Sequence, residues 1–164
     1  MKNVIVAFIS MILVFKIMHW QGEPLKTSVT PNGILALEFA NNFEKVNPIL
    51  NTWNPNTARI NILIDFVFLI SYSLFFIFSI QYISKKSKKE SQKNAAIVIL
   101  KIALLPGLFD AIENILMLQT LSRNSTEILL QITYYCVIIK FTLAALIVLF
   151  ILVRLPITLL NRKK

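Results

Sequence analysis

The apolar stretch IVILKIALLPGLFDAIENILML at residues 97–118 decides the class of protein, because it is long enough to cross a membrane yet carries two acids in its second half. A charged side chain at the centre of a bilayer costs about 2.5–3.5 kcal/mol on insertion scales. Glu113 and Asn114 lie three and four residues after Asp110, so a helix places the three side chains on one face. We therefore expect this face to point into a helix bundle or a polar cleft.

The whole chain has the composition of an integral membrane protein. Of its 164 residues, 56% are hydrophobic, 12 are Phe and only 3 are Gly, and the apolar residues are concentrated in long blocks. A helical span needs about 20 apolar residues to cross roughly 30 Å of hydrocarbon. The sequence predicts an all-α fold, a polytopic four-transmembrane-helix bundle that forms a single domain over residues 1–164, with spans at about 3–18, 60–83, 95–121 and 126–153.

The first span has a secretory signal as its alternative, because Lys2 precedes a short apolar run. The run ends in Ile17-Met18-His19-Trp20, which lacks the small residues that a signal peptidase requires. We therefore expect a retained helix, with His19 and Trp20 as an interfacial anchor.

The positive charge, +9 in total, is unevenly distributed and predicts the orientation. Lys2, the lysine-rich stretch at 85–93 and the basic tail at 162–164 all fall on the same side of a four-span chain. Basic residues favour the cytoplasmic side, so both termini are expected there. These clusters adjoin membrane spans, which predicts contact with anionic lipid headgroups. No nucleic-acid-binding motif accompanies them, so nucleic acid is not an expected partner.

The segment between the first two spans is predicted to contain an external amphipathic helix at residues 33–47, because its apolar residues recur at helical spacing opposite Glu38. Pro48 is expected to end this helix, and Trp53 to lie at the membrane interface. Two hypotheses remain for Glu38. It lies on a solvated polar face, or this face covers a cavity between the spans.

The second and fourth spans also carry polar side chains. Asp65 and Tyr72 share one face of the second span, and Asp65 lies about 8 Å inside its outer boundary. Asp65 could pair with Arg59 at the water surface or join a cleft. Asp110 lies deeper, about 16 Å from the outer end of its span, and Lys140 lies at a comparable depth in the fourth span.

Two features surround these buried acids. Pro106-Gly107 predicts a kink in the third span one turn before them. A pairing of Lys140 with Asp110 or Glu113 would remove much of the cost of burying the charges. The sequence leaves open whether these groups form a structural ion network or a functional polar cleft.

The predicted site combines residues from three spans and the external segment. Neighbouring carboxyl groups in a low-dielectric site can donate and recover protons, so Asp65, Asp110 and Glu113 are the candidates for acid/base catalysis. The lone histidine argues against a zinc site, and no motif indicates a cofactor. The predicted ligand-binding residues are Glu38, Asp65, Tyr72, Asp110, Glu113, Asn114 and Lys140.

The layout of the chain resembles the EXPERA group of four-helix membrane proteins, which includes the emopamil-binding sterol isomerases and the sigma-2 receptor. The features shared are a short first span, an external amphipathic segment ending in Pro and Trp, an acid early in the second span and a lysine-rich tail. Asp65 and the approach containing Trp53 are the nearest counterparts. The resemblance implies a hydrophobic-ligand cavity with acidic groups that opens within the bilayer and, in the isomerases, proton transfer at a ring alkene.

Three functions are compatible with these features. The leading hypothesis is binding, with acid/base modification as its stronger form, of a lipid-like or amphipathic small molecule. Because the acids outnumber Lys140, this ligand is expected to be uncharged or cationic. The rival is a non-catalytic membrane subunit or assembly factor, in which the acids pair with Lys140 or with a partner protein. Proton or cation transport is the third hypothesis, and it would require an oligomer.

Overall fold

A computed structural model describes residues 1–87 and 89–160 of the chain, and this part contains helices, turns and loops but no strand. Lys88 and the basic residues at 162–164, which belong to the predicted cytoplasmic clusters, lie outside the described residues. The helices of the described part, in chain order, are α1 (Lys2–Gln21), α2 (Leu35–Glu38), α3 (Phe43–Thr52), α4 (Pro55–Lys86), α5 (Glu90–Ile102), α6 (Leu105–Leu121) and α7 (Glu127–Leu160).

Four segments of the described chain are long and apolar enough to cross a membrane: α1, α4, the pair α5 and α6, and α7. The predicted all-α, multi-pass fold is therefore confirmed. Helix α4 begins five residues before the predicted span at 60–83, and its start is capped. At the start of α4, the Asn54 side chain accepts hydrogen bonds from the backbone of Asn56 and Thr57, and Pro55 occupies the first helical position.

The third span is bent where the sequence predicts a kink. Helix α5 ends at Ile102 and α6 begins at Leu105, with Pro106 in the first turn, where its missing N–H is not needed. The bend brings α6 close to α4. A Cβ atom added at Gly107 would lie only 2.6 Å from Ser73 Oγ, so glycine permits this approach.

The predicted amphipathic helix at residues 33–47 is wrong in its extent, since the structure has two helices there, α2 and α3. The chain is extended at Asn42, whose side chain accepts a hydrogen bond from the backbone N–H of Lys45 and so caps a new helix. Pro48 does not end α3 but lies inside it at an exposed position. The helix continues to Thr52 instead.

Residues 22–54, which we call the cap, fold onto one end of the bundle. Trp53 is buried in the cap, so its side chain packs against protein, and its predicted place at the membrane interface stays a prediction. The indole N–H finds buried acceptors, because Nε1 donates to the Leu25 carbonyl at 2.9 Å and to Thr30 Oγ1 at 3.0 Å. The core around Trp53 joins the cap to the spans through Leu25, Leu37, Val46, Ile49, Ile62, Met117 and Leu130.

A second apolar core holds the other half of the bundle together. It is formed by side chains from α4, α5 and α7 and by the residue after α5, namely Tyr72, Phe76, Ile80, Ile83, Ala96, Ala103, Ile147 and Ile151. The bundle pairs α1 with α4, α4 with α6, and α6 with α7. Most of the buried charged side chains lie between the two cores.

Candidate functional site

Lys140 of α7 lies at the centre of the buried polar cluster. Its Nζ donates hydrogen bonds to Asp110 Oδ1 at 2.7 Å and to Glu113 Oε1 at 2.9 Å, both on α6. The three side chains are almost completely buried. The predicted pairing of Lys140 with these acids is therefore present, and it offsets much of the cost of burying them.

The second oxygen of Asp110 is also occupied. Tyr72 on α4 donates its hydroxyl hydrogen to Asp110 Oδ2 at 2.8 Å. A hydrogen bond to an ionised acceptor is stronger than one between neutral groups, so this contact holds α4 against α6 at the level of the cluster.

Glu38 reaches the same cluster from the cap. Its Oε2 lies 3.4 Å from Lys140 Nζ, and the residue is only 6% exposed. The hypothesis of a solvated polar face is therefore wrong, because α2 packs against α6 and α7 and turns this side chain inward. Burial raises the pKa of the Glu38 carboxyl, although the Lys140 ammonium opposes this effect.

Asp65 is held by an amide rather than by a cation. Asn114 Nδ2 donates to Asp65 Oδ2 at 2.8 Å, and Asp65 remains partly exposed. The alternative of a surface pair with Arg59 is wrong, since the part of the chain that the structure describes has no ion pair between them. Asn114 itself is fully buried, and no donor bonds to its Oδ1 among the described residues.

The fold thus brings all seven predicted site residues into one cluster. The acids are supplied by the cap, α4 and α6, whereas the ammonium comes from α7. Of the four carboxyl groups, three lie within 4 Å of Lys140 Nζ. Within residues 1–87 and 89–160, no group of three or more His, Cys, Asp or Glu is placed to hold a metal ion.

A cavity of about 850 Å³ adjoins this cluster and lies between α1, α4, α7 and the cap. Its polar wall includes Glu38, Asp65, Tyr72, Asp110 and Lys140. Glu113 and Asn114 do not line it and lie behind the wall, where they support Lys140 and Asp65. The rest of the wall is mainly apolar and aromatic, and includes Phe8, Phe15, Phe68, Phe75, Phe141, Val148 and Ile151.

Sequence reasoning missed the contribution of α1 to this cavity. Phe15 and His19 line the wall, but an apolar first span looks the same whether it faces lipid or a cavity. Asn61 is the polar side chain of α4 that contacts α1. Its Nδ2 donates to the Met18 carbonyl at 2.9 Å and to Gln21 Oε1 at 2.8 Å, which fixes the end of α1 against α4.

The cap also contributes to the wall of the cavity. Lys26 and Gly33 line the wall here, and Gly33 has a positive φ of 59° that a side chain would disfavour. Lys26 Nζ donates to Glu23 Oε2 at 2.8 Å, and this bond lowers the pKa of the exposed Glu23 carboxyl. The cation at this end of the cavity is therefore already paired.

Comparisons with protein-family models, with curated proteins and with solved structures give no match to this chain. The resemblance to the EXPERA group therefore stays a prediction based on layout. The site itself is a mainly apolar cavity that ends at three carboxyl groups and one ammonium, with the carboxyl group of Glu113 behind them.

Proposed function

We propose that this protein binds a lipid-like or amphipathic small molecule, uncharged or cationic, in the cavity between α1, α4, α7 and the cap. One observation carries the proposal: a large cavity with a mainly apolar wall ends at a cluster of buried carboxyl groups. Its volume of about 850 Å³ falls in the range of small-molecule sites, in which an apolar wall and a few polar groups together orient the ligand.

The wall of the cavity favours a ligand that comes from the lipid phase. Phe15, Phe141 and Leu152 line the cavity, and 47%, 45% and 66% of their surfaces are exposed. These apolar side chains belong to membrane-spanning helices, so the proposed route for an apolar molecule runs from the lipid into the cavity without crossing water.

The charges of the site favour a ligand without negative charge. Glu38 and Asp65 line the cavity, whereas the ammonium of Lys140 is already hydrogen-bonded to two other carboxylates. An anion would meet repulsion in a medium that screens poorly. A hydroxyl or an ammonium group would instead find hydrogen-bond acceptors.

Acid/base modification of the ligand is the stronger form of this proposal. Asp65, Asp110 and Glu38 line the cavity, so each is within reach of a bound molecule and can give or take a proton. Glu113 lies behind the wall, so its role is to position Lys140. Incubating the purified protein with its extracted amphiphile in D2O, and comparing the deuterium incorporated at carbon for wild type and Asp110→Asn, tests this form.

Filling the cavity tests the binding proposal. Ala144 on α7 lines the cavity, whereas its neighbour Ala145 is exposed on the bundle surface. Lipid analysis of the gently purified wild type should find one amphiphile per chain. We expect Ala144→Phe to lose this molecule and Ala145→Phe to keep it, and a folded Ala144→Phe protein with full occupancy would contradict the proposal.

A non-catalytic membrane subunit or assembly factor is the second candidate. It is favoured by the hydrogen bonds from Lys140 to Asp110 and Glu113, which satisfy two buried acids within the chain as a structural network would. Purification of an empty protein together with a stoichiometric membrane-protein partner would support this function over ligand binding.

We also propose that both termini and the segment between α4 and α5 face the cytoplasm, where they contact anionic headgroups. Lys2 at the start of α1 and Lys86 at the end of α4 lie at the same end of the bundle. In a Cys136→Ser background, cysteines introduced at Ser87 and Asn54 should react with an impermeant thiol reagent from opposite sides. Labelling of both from the outside would exclude this orientation.

A further inference from the structure

The polar side chains of the cavity wall lie toward the end of the bundle where α1 ends and α4 begins, and apolar side chains continue the wall toward the opposite end. On α4, the polar lining ends at Tyr72, and the lining residues after it are Phe75 and Phe76. On α7, Lys140 is the first residue of the wall, and every later one is apolar. These later residues are Phe141, Ala144, Val148, Ile151 and Leu152.

Helix α1 shows the same arrangement in the opposite chain direction. His19 lines the wall near the end of this helix, whereas Phe8 lines it near the start. Ring contacts place α1 against α4, because the ring centroids of Phe8 and Phe75 are 5.4 Å apart and those of Phe15 and Phe68 are 5.8 Å apart. The three helices therefore give the cavity an apolar far end. It is formed by Phe8, Phe75, Phe76, Val148, Ile151 and Leu152.

The apolar part of the wall is long. From Lys140 to Leu152, α7 lines the cavity over about 18 Å, at a rise of about 1.5 Å per residue. The side chains of the far end offer a ligand only apolar contact, so a polar group placed there would lose its hydrogen bonds without replacement. Near Lys140, by contrast, Glu38 and Asp65 offer hydrogen-bond acceptors to a ligand.

We infer that the ligand is an amphiphile with a polar group at one end only, and that it lies along α7 with this group at the buried polar cluster and its apolar chain at the far end. The inference rests on the proposed function and deepens it, because it names the orientation of the ligand and the class of molecule that the cavity accepts. A chain with a polar group at each end is disfavoured, since its second group would have no partner among the residues of the far end. Val148 and Leu152 are then specificity-determining residues, because they limit how far the chain extends.

Photo-crosslinking of the full chain in nanodiscs tests this orientation. The two probes are derivatives of dodecyltrimethylammonium that carry a diazirine either beside the head group or near the end of the chain. Labelling that an excess of unmodified dodecyltrimethylammonium suppresses is specific for the site, and mass spectrometry of peptides locates it. We expect the diazirine beside the head group to label Tyr72 or Phe141, and the diazirine at the chain end to label Phe8, Val148 or Leu152.

A matched pair of variants tests the far end by chain length. Val148 lines the cavity, whereas its neighbour Leu149 does not and is 60% exposed. Val148→Trp should weaken binding of dodecyltrimethylammonium about tenfold, because the larger side chain occupies the space of the chain end. It should not affect octyltrimethylammonium, whose chain is shorter than the roughly 12 Å of helix between Lys140 and Val148. Leu149→Trp should affect neither compound, and displacement of the photoprobe measures both affinities.

The outcomes separate the orientation from the proposed function. Suppressible labelling of Ile34 or Leu35 in the cap by the chain-end diazirine would overturn the orientation and leave the proposed function intact. Equal weakening of both chain lengths by Val148→Trp would do the same. If neither probe gives suppressible labelling of the wild type, the result counts against the proposed function itself.

Discussion

The two sides of the site hold their acids in different ways. On the α6–α7 side, Asp110 and Glu113 are hydrogen-bonded to Lys140 at 2.7 and 2.9 Å. On the α4–cap side, Asp65 is bonded to the neutral amide of Asn114 at 2.8 Å, and Glu38 lies 3.4 Å from the ammonium without a hydrogen bond to it. The acids of the first side are hydrogen-bonded to a cation of the chain, whereas those of the second side line the cavity without such a bond.

Because of this difference, variants of the two sides should have different effects on stability and on ligand binding. A buried acid that is bonded to a cation becomes very costly when the cation is removed, because its charge stays behind. An acid that faces a cavity can be replaced by its amide with little loss, since its neutral partner keeps a hydrogen bond. We therefore expect variants of the α6–α7 side to affect folding first, and variants of the α4–cap side to affect the ligand first.

The largest effect is expected for Lys140→Met, which leaves Asp110 and Glu113 without a cation. The expected loss is about 3–5 kcal/mol in the free energy of unfolding. Thermal unfolding followed by size-exclusion chromatography measures it, with the exposed Lys101→Met as control. Replacing Lys140, Asp110 and Glu113 together by Met or Leu should recover most of the lost stability. A stable, monodisperse Lys140→Met protein would show that the ion network does not hold the bundle.

The second effect concerns the cap, which places Glu38 in the site. Trp53→Phe keeps most of the apolar surface but removes the bond from Nε1 to the Leu25 carbonyl and to Thr30. We expect a loss of about 1–2 kcal/mol and faster proteolysis of the cap. Trp20→Phe is the matched control, because Trp20 is 81% exposed. Equal behaviour of the two variants would contradict the role of this buried contact.

Asp65→Asn should change stability by less than about 1 kcal/mol, since the new amide oxygen still accepts the hydrogen bond from Asn114. It should weaken binding of dodecyltrimethylammonium about tenfold, which corresponds to about 1.4 kcal/mol, and leave dodecanol unaffected. The comparison is sharpened by Asp110→Asn, which should be the less stable of the two. The opposite order of stabilities would reverse the assignment of the two sides.

The smallest effect is the pH dependence that Glu38 contributes to folding. Burial raises its pKa above the ordinary value of 4.5, so the folded protein keeps this proton at pH values where the unfolded chain has lost it. Its contribution to stability should therefore decrease as the pH rises from about 4.5, and be constant below that value. Lys140 opposes the effect of burial, which keeps the change small.

The difference in melting temperature between wild type and Glu38→Gln, followed as a function of pH, isolates this contribution. The melting temperature of the wild type should fall relative to that of Glu38→Gln as the pH rises. A rise in the relative melting temperature of the wild type would mean that Lys140 affects the pKa of Glu38 more than burial does. Glu38 would then belong with the acids of the α6–α7 side.

Much of the site could be predicted because its residues repeat at helical spacing within apolar spans. Asp110, Glu113 and Asn114 had to share a face, and so did Asp65 and Tyr72. The cap was harder, because one extended residue, Asn42, divides the amphipathic segment. The period of the apolar residues continues through that break, so periodicity could not reveal it. The lining contributed by α1 is mostly apolar, and its one polar side chain, His19, lies at the end of the span, where an interfacial anchor was expected.

The sequence by itself determined the all-α membrane class, the spans and the acids on the inner helix faces, because hydropathy and helical period depend on residues within a few turns of one another. Only the tertiary structure decided which acids Lys140 neutralises, how Glu38 joins them and where a cavity remains. Glu38 and Lys140 are far apart in the sequence, and their contact depends on how the cap and α7 pack. The helical preferences of neighbouring residues do not determine the distance between Glu38 and Lys140. The chemistry of the site depends on that distance.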